Sequence, residues 1–258
     1  MTNKFSCLNG SAEIRQFKGH ASNMYLISYP EDNRTVLVDC GLPQDIPGLL
    51  DFIEENDLPP IEKVVCTHFH VDHVAGWMEL KKLFRSIFIF FHKEAIGLVS
   101  GKERMSLPYP SDFTKIMLPV MKENHYLPTP KEAMETVHLG TSLKSHFPMD
   151  RVSFFSSVEE VIPGFETIHT PGHRPESVSF YEPESGAFIS GDFIIVMNGK
   201  VVVNTFVYDS KTQMESVEKV KKLDNLIYLM PGHGNCMDFN ENTIRYEIKK
   251  DWLEEFRP

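Results

Sequence analysis

Apolar positions along the chain switch between two periods. Residues 13–18, 23–29 and 34–39 read as strands, with Pro30-Glu31-Asp32-Asn33 as a hairpin turn between the last two. Over 45–57 the residues Ile46, Leu49, Leu50 and Ile53 recur at helical spacing, which predicts a first helix. After the Pro59-Pro60 break, Ile61, Val64, Val65 and Cys66 predict a short buried strand. Val74, Trp77, Met78 and Leu80 to Phe84 return to the helical period; residues 86–91 predict a core strand and 92–99 a helix. Strands follow at 152–155, 165–170, 177–181, 187–190 and 226–230, and helices at 211–223 and 241–256, the last marked by Ile244, Ile248, Trp252 and Phe256. Strands alternating with helices point to a layered α/β fold, and 258 residues without a Gly/Ser or Pro-rich linker point to one domain, 1–258.

One stretch breaks the pattern. Residues 101–150 carry Pro108, Pro110, Pro119, Pro128, Pro130 and Pro148 with Met105, Met117, Met121 and Met134, and show no clean period. A long irregular segment inside a compact domain reads as a lid or binding insertion, and Tyr109, Phe113 and Tyr126 with the adaptable methionines could line an apolar pocket. The plainer reading is a partly helical flap over the core. His125, His138 and His146 lie here at irregular spacing and are read as surface or hydrogen-bonded residues.

Composition narrows the classes. Hydrophobic residues make up 41% of the chain, enough for a substantial core, and 26 basic against 36 acidic residues leave a net charge of −10. That balance argues against a nucleic-acid-binding surface, which needs clustered positive charge. No apolar run is long enough to span a bilayer, and Met1-Thr2-Asn3-Lys4-Phe5 lacks the apolar core of a signal peptide, so a soluble cytoplasmic protein is expected. Cys7, Cys40, Cys66 and Cys236 stand singly and read as reduced thiols.

The chemistry concentrates in Thr67-His68-Phe69-His70-Val71-Asp72-His73, between a strand end and a helix start. On extended backbone His68 and His70 point the same way and can grip one ion, while Asp72 and His73, past the turn, can hold a second. Imidazole and carboxylate suit zinc and tolerate iron or manganese. The same arrangement, an apolar strand then a marked turn then His or Asp, recurs at Thr170-Pro171-Gly172-His173, Ser190-Gly191-Asp192 and Pro231-Gly232-His233-Gly234, with Gly172 permitting a close backbone path. Strand ends on one edge of a layered sheet converge, so His68, His70, Asp72, His73, His173, Asp192 and His233 can meet, a supply suited to two ions sharing a carboxylate. Asp39, at a strand end before Cys40-Gly41, is either a turn aspartate or a group that orients a ligating histidine.

These four motifs, in this order, resemble those of the metallo-β-lactamase superfamily over most of the chain outside 101–150. The resemblance implies a four-layer αββα sandwich with two divalent metal ions at one edge, to which residues 101–150 add a helical lid-like insertion. It implies a first metal site at His68, His70 and His173, a second at Asp72, His73 and His233, and Asp192 bridging the two. Asp39 matches the aspartate that steadies the site from outside. The implied reaction is hydrolysis of an ester, thioester, lactone or amide of a small molecule, with Asp72 orienting the hydroxide and passing on a proton.

Departures limit the subfamily. His70 stands where an oxygen-reducing diiron branch would carry glutamate; the Gly-Cys-Gly-Arg run of glyoxalase II and persulfide dioxygenases is missing after Asp192; Ile195 stands where acyl-homoserine lactonases carry tyrosine. Glu176 takes a position where relatives often have glycine, a change expected at the rim, and Arg174 reads as an anion contact or a surface salt bridge. Only one helix is expected after His233, leaving no room for the helical domain with which glyoxalase II grips glutathione, so recognition falls to 101–150. His20 and Tyr208 are read as structural residues first and as candidates for the site edge second. A mononuclear iron persulfide dioxygenase using His68, His173 and Asp192, a phosphodiesterase or nuclease, and an idle binding protein remain alternatives, as does a homodimer.

Overall fold

The seven strands of the first sheet pair in strict chain order. They are β1 (Lys4–Cys7), β2 (Ala12–Lys18), β3 (Asn23–Tyr29), β4 (Arg34–Val38), β5 (Ile61–Val65), β6 (Phe88–His92) and β7 (Val152–Phe155). Hairpin-linked β1 to β4 pair antiparallel, whereas β4 to β7 are parallel. Parallel neighbours need a crossover, here α1 (Ile46–Glu55) before β5, and α2 (Val71–Val74) with α3 (Trp77–Leu83) before β6. The structure, a computed structural model, describes residues 4–104, 118–123, 126–127, 129–130, 147–158, 160–204 and 206–239.

The second sheet runs β14–β13–β10–β9–β8, built from β8 (Glu166–His169), β9 (Val178–Glu182), β10 (Ala187–Gly191), β13 (Tyr228–Pro231) and β14 (Met237–Asp238). Here β8, β10 and β13 share one direction, because β9 is antiparallel to both its neighbours and β10 is parallel to β13. A two-stranded hairpin, β11 (Ile194–Met197) and β12 (Lys200–Val203), follows β10.

Strand alternation then builds the layers. On β3, Met24 and Leu26 face one way, into a core with Leu49 of α1, Trp77 and Leu80 of α3 and Val64. Tyr25 and Ile27 face the other, meeting Val178, Phe180, Ile189 and Met230 of the second sheet. The outer face of that sheet puts Tyr181, Phe188 and Leu229 against Val217 and Val220 of a helix at Ser210–Val220. Helix, sheet, sheet and helix therefore stack in four layers, the αββα sandwich expected.

Several boundaries differ from expectation. The helix after the histidine run starts at Val71, so Asp72 and His73 sit on α2, with His70 as its N-cap residue in extended conformation. The expected helix at 92–99 divides into a 3-10 turn, Lys93–Ala95, and α4 (Ile96–Val99). Strands β1, β11, β12 and β14 were not expected. Most of 101–150, including His125, His138 and His146, and the helix expected at 241–256 lie outside the described residues; within the insertion a helix, α5, spans Leu118–Glu123. The helix Ser210–Val220 is α6. Among the described residues no helix is long and apolar enough to cross a membrane.

Candidate metal centre

Strand ends deliver the site. The carboxyl end of β5 leads into His68, Phe69 and His70, and alternation separates their side chains: Phe69 is buried in the core against Phe91 and Phe147, at ring-centroid distances of 5.6 and 5.4 Å, while the two histidines turn to the opposite side. The ends of β8, β10 and β13 supply His173, Asp192 and His233. Two glycines make the approach possible. A Cβ on Gly232 would lie 2.3 Å from the Asp192 carboxylate, and one on Gly172, at φ +140°, would lie 2.2 Å from the Gln213 side chain. Hydrogen bonds from Asn23 N–H to Gly232 O (2.8 Å) and from Val178 N–H to Thr67 O (2.9 Å) lock the two sheets together here.

All seven expected residues come together. His68, His70, His173 and Asp192 form one group and Asp72, His73 and His233 another, each with donor atoms within 4.8 Å of one another. Asp192 joins them: its Oδ2 lies 3.5 Å from His173 Nε2, 3.8 Å from His68 Nε2 and 3.1 Å from His233 Nε2, and its Oδ1 lies 3.2 Å from His73 Nε2. Asp72 Oδ2 stands 3.7 Å from His73 and 3.5 Å from His233.

Outer partners fix which nitrogen faces inward. His73 Nδ1 donates to Asp39 Oδ2 at 2.8 Å, His173 Nδ1 to Phe206 O at 2.5 Å, and His233 Nδ1 to Ala21 O at 2.9 Å. Thr67 Oγ1 donates to Asp39 Oδ2, so it accepts from His68 Nδ1 at 3.0 Å. Asp39 is thus the orienting residue and not merely a turn aspartate; it sits at φ +59° and also accepts Thr67 N–H. With their Nδ1 protons committed, His68 and His173 both aim Nε2 lone pairs at His70 Nδ1, 3.0 and 3.1 Å away. One N–H can satisfy only one of them. His73 Nε2 and Asp192 Oδ1 are buried without a hydrogen bond. Lone pairs converging on a point and unmatched buried polar atoms are what a cation would resolve, so the donor set fits metal ions.

Electrostatics divides the two groups. Burial, reinforced by neighbouring histidines, holds His68 and His70 well below the ordinary imidazole range, and burial brings His173 down to about 4. Burial also opposes charge on His73 and His233, yet Asp192 and Asp72 outweigh it and raise both. Asp192 is itself held well below the usual carboxylate range, because His233 and His73 overcome its burial.

Two side chains depart from expectation, and a third, His20, takes a structural place. Glu176 is not at the rim: it is 1% exposed, and its Oε1 accepts Phe69 N–H at 3.3 Å. Arg174 is not in a surface salt bridge: it is 4% exposed, with Nε 3.5 Å from Glu176 Oε1 and its guanidinium 5.8 Å from the Tyr208 ring. His20 pairs with the buried carboxylate of Asp45 and meets the ring of Tyr126 edge-on at 5.4 Å, while Tyr126 Oη accepts from Gln44 at 2.8 Å. Sequence reasoning missed Phe206, whose ring stacks on His70 at 5.7 Å, and Gln213, which accepts His173 N–H at 2.8 Å. The regular spacing of 211–223 marked Gln213 only as a helix residue.

Comparisons agree with this geometry. The sequence pattern of the metallo-beta-lactamase superfamily matches residues 18–89 and 91–233. A Methanocaldococcus jannaschii protein described as a "probable metallo-hydrolase" is 27% identical over 222 residues, covering 85% of this chain and 91% of its own. The hydroxyacylglutathione hydrolase of Haemophilus influenzae is 25% identical over 229 residues, covering 86% of this chain and 90% of its own. A crystal structure of a protein in a di-iron-bound form superposes with a TM-score of 0.59 at 21% identity, over 90% of this chain and 96% of its own. The DIM-1 metallo-beta-lactamase gives 0.59 at 14% identity, over 99% and 98%. With the matched pattern spanning both sheets and all seven site residues, the chain belongs to the metallo-beta-lactamase superfamily.

Proposed function

We propose that the chain is a hydrolase of a small-molecule ester, thioester or lactone, working with two divalent ions. His68, His70 and His173 would hold the first, Asp72, His73 and His233 the second, with Asp192 facing both groups. Zinc suits this nitrogen-rich set; iron and manganese suit it too. The observation that carries the reading is the convergence of the His68 and His173 Nε2 lone pairs on His70 Nδ1.

When bound, the ions supply hydroxide at neutral pH and polarise a carbonyl. The protein does the rest. Burial keeps His68, His70 and His173 neutral, the form that ligates. Asp39 and the carbonyls of Phe206 and Ala21 hold three of the imidazoles in one tautomer, so no reorientation is needed when substrate arrives. The Asp72 carboxylate, which retains 15% exposure, orients the attacking water and returns its proton to the leaving atom. Residues 101–150 act as a substrate lid within a single domain 1–258; the docking of Tyr126 on Gln44 and His20 supports this, since Ala21 next to His20 carries the carbonyl that holds His233.

The hydroxyacylglutathione hydrolase relative favours thioesters among the candidates, because an acylglutathione is a thioester. The net charge of −10 weighs against nucleic acid as substrate. Thioesters, lactones and phosphodiesters assayed on zinc-, manganese- and iron-loaded protein, with ion content measured alongside, test the proposal. Thioester or lactone turnover that rises with the second ion supports it; protein that takes up no ion after loading overturns it.

A further inference from the structure

Between β12 and α6 the chain carries an aromatic ring that holding ions does not require. Asn204 and residues 206–209 are pinned beside the His173 turn: Asn204 N–H donates to Phe193 O at 3.2 Å, Tyr208 N–H to Gly172 O at 2.7 Å and Asp209 N–H to Gly172 O at 3.1 Å. Phe206 N–H donates to Asn204 Oδ1 at 2.9 Å, and its carbonyl accepts from His173 Nδ1 at 2.5 Å. The backbone thus fixes Phe206 without help from the ring. The ring lies flat on His70, 5.7 Å between centroids and 7° between planes, and meets His173 edge-on at 5.3 Å and 83°. Yet Phe206 is only half-buried. With its backbone polar groups engaged, one ring face on His70 and an edge at His173, the part left open is the other face.

Binding sites pair a few placed polar groups with apolar and aromatic walls. Phe206 touches two of the three histidines of the first group, whereas Asp72 stands against His73 and His233 of the second. A carbonyl carbon held between the groups, with its leaving atom towards Asp72, directs its acyl group towards Phe206.

We propose that the open face of Phe206 is the wall on which the substrate's acyl group rests, selecting esters and thioesters of apolar acyl groups over those of small hydroxylated ones. The proposal rests on the hydrolase reading above and deepens it. Its physical basis is desolvation. An apolar chain laid on the ring takes both surfaces out of water, whereas a hydroxyl there gives up its water to a surface without a hydrogen-bond partner.

Hydrolysis of the S-hexanoyl and S-glycoloyl thioesters of one thiol by zinc-loaded protein tests this, because a ratio between two substrates cancels damage to their shared chemistry. Phe206→Ala should lower the hexanoyl-to-glycoloyl ratio of kcat/KM about tenfold, mainly through a higher KM for the hexanoyl substrate, as when a contact common to ground and transition states is lost. Phe206→Leu keeps an apolar side chain on the same carbonyl and should recover most of the ratio. A residue that served only to steady His173 would lower kcat for both substrates in equal proportion. A second readout needs neither turnover nor a variant: in the zinc-loaded wild type, hexanoate should show a nuclear Overhauser contact between its methylene protons and the Phe206 ring. An unchanged ratio in Phe206→Ala, a ratio in Phe206→Leu as low as in Phe206→Ala, or no contact between hexanoate and the ring each overturns the proposal. Failure of the wild type to hydrolyse either thioester would instead defeat the hydrolase reading, and the hexanoate contact would still decide whether the ring is a wall for apolar chains.

Discussion

The two halves of the site use one residue type in opposite ways. In the first group three histidines are screened from solvent, and burial keeps them neutral although the Asp192 carboxylate lies 3.5 Å from His173 and 3.8 Å from His68. In the second, His73 and His233 are equally buried, yet Asp72 and Asp192 hold them towards the charged form. The histidine does not decide its own charge; the balance of desolvation against nearby carboxylates does, Asp192 alone being outweighed in the first group and Asp192 with Asp72 prevailing in the second. Asp192 belongs to both halves, and the contrast predicts how each fails.

Asp192→Asn should have the largest effect, since it removes the carboxylate facing four histidines. Turnover should fall by roughly two to three orders of magnitude, as when a charge-stabilising group is lost from a reacting centre. Both ions should also bind more weakly by metal analysis. Loss confined to one ion would break the picture of a shared carboxylate. His70→Ala removes a nitrogen from the neutral half only, and should abolish turnover while lowering bound metal; retained metal with full activity contradicts the assignment.

Phe69→Ala probes what lies beneath the neutral half. Emptying the space between Phe91 and Phe147 should cost about 3–5 kcal/mol in urea unfolding of metal-free protein, as for other buried aromatics. Asp39→Asn probes the charged half. His73 loses its charged partner directly and His68 only through Thr67, so the second ion should weaken about ten- to hundredfold and the first by less. Equal weakening would show that Thr67 transmits as well as direct contact does.

The smallest effect lies outside the site and tests whether burial lowers a histidine there as well. His92 stacks on His169 at 4.5 Å and is brought down to about 4 by burial, then by His169 and Lys93. Unfolded, it titrates near 6.5. Between those values the unfolded chain takes a proton that the folded one refuses, so stability present above pH 6.5 is lost as pH falls towards 4. His92→Asn should flatten that acid limb in urea melts of metal-free protein between pH 7 and 5. An unchanged limb would remove His92 from the account.

Much of this was legible in the sequence, for identifiable reasons. The convergence of the seven candidate residues could be read because the four motifs that carry them each follow an apolar strand, and strand ends on one edge converge. The bounds of β3 and β7 were read as they occur, since both are apolar runs flanked by polar turns. The β11–β12 hairpin was not expected, although Asn198-Gly199, both at positive φ, carries the usual signal of a tight turn. The hold of Phe206 on His173 and of Ala21 on His233 could not have been found, because it runs through backbone carbonyls that every residue has. Glu176 was misplaced for a different reason. A charged residue in place of glycine suggests solvent, and only its neighbour Arg174, two positions earlier, hinted at a buried pair.

The donors are divided between the two sheets: four come from the segment after β5, and three from the ends of β8, β10 and β13. A nascent chain that has just finished the first sheet can offer an incoming ion no more than an incomplete grip from a single loop. The first set would be complete only with His173 and Asp192 from the second sheet, and the second only with His233 as well. Ion uptake would then act as a late checkpoint in biogenesis, recording that the whole sandwich has closed.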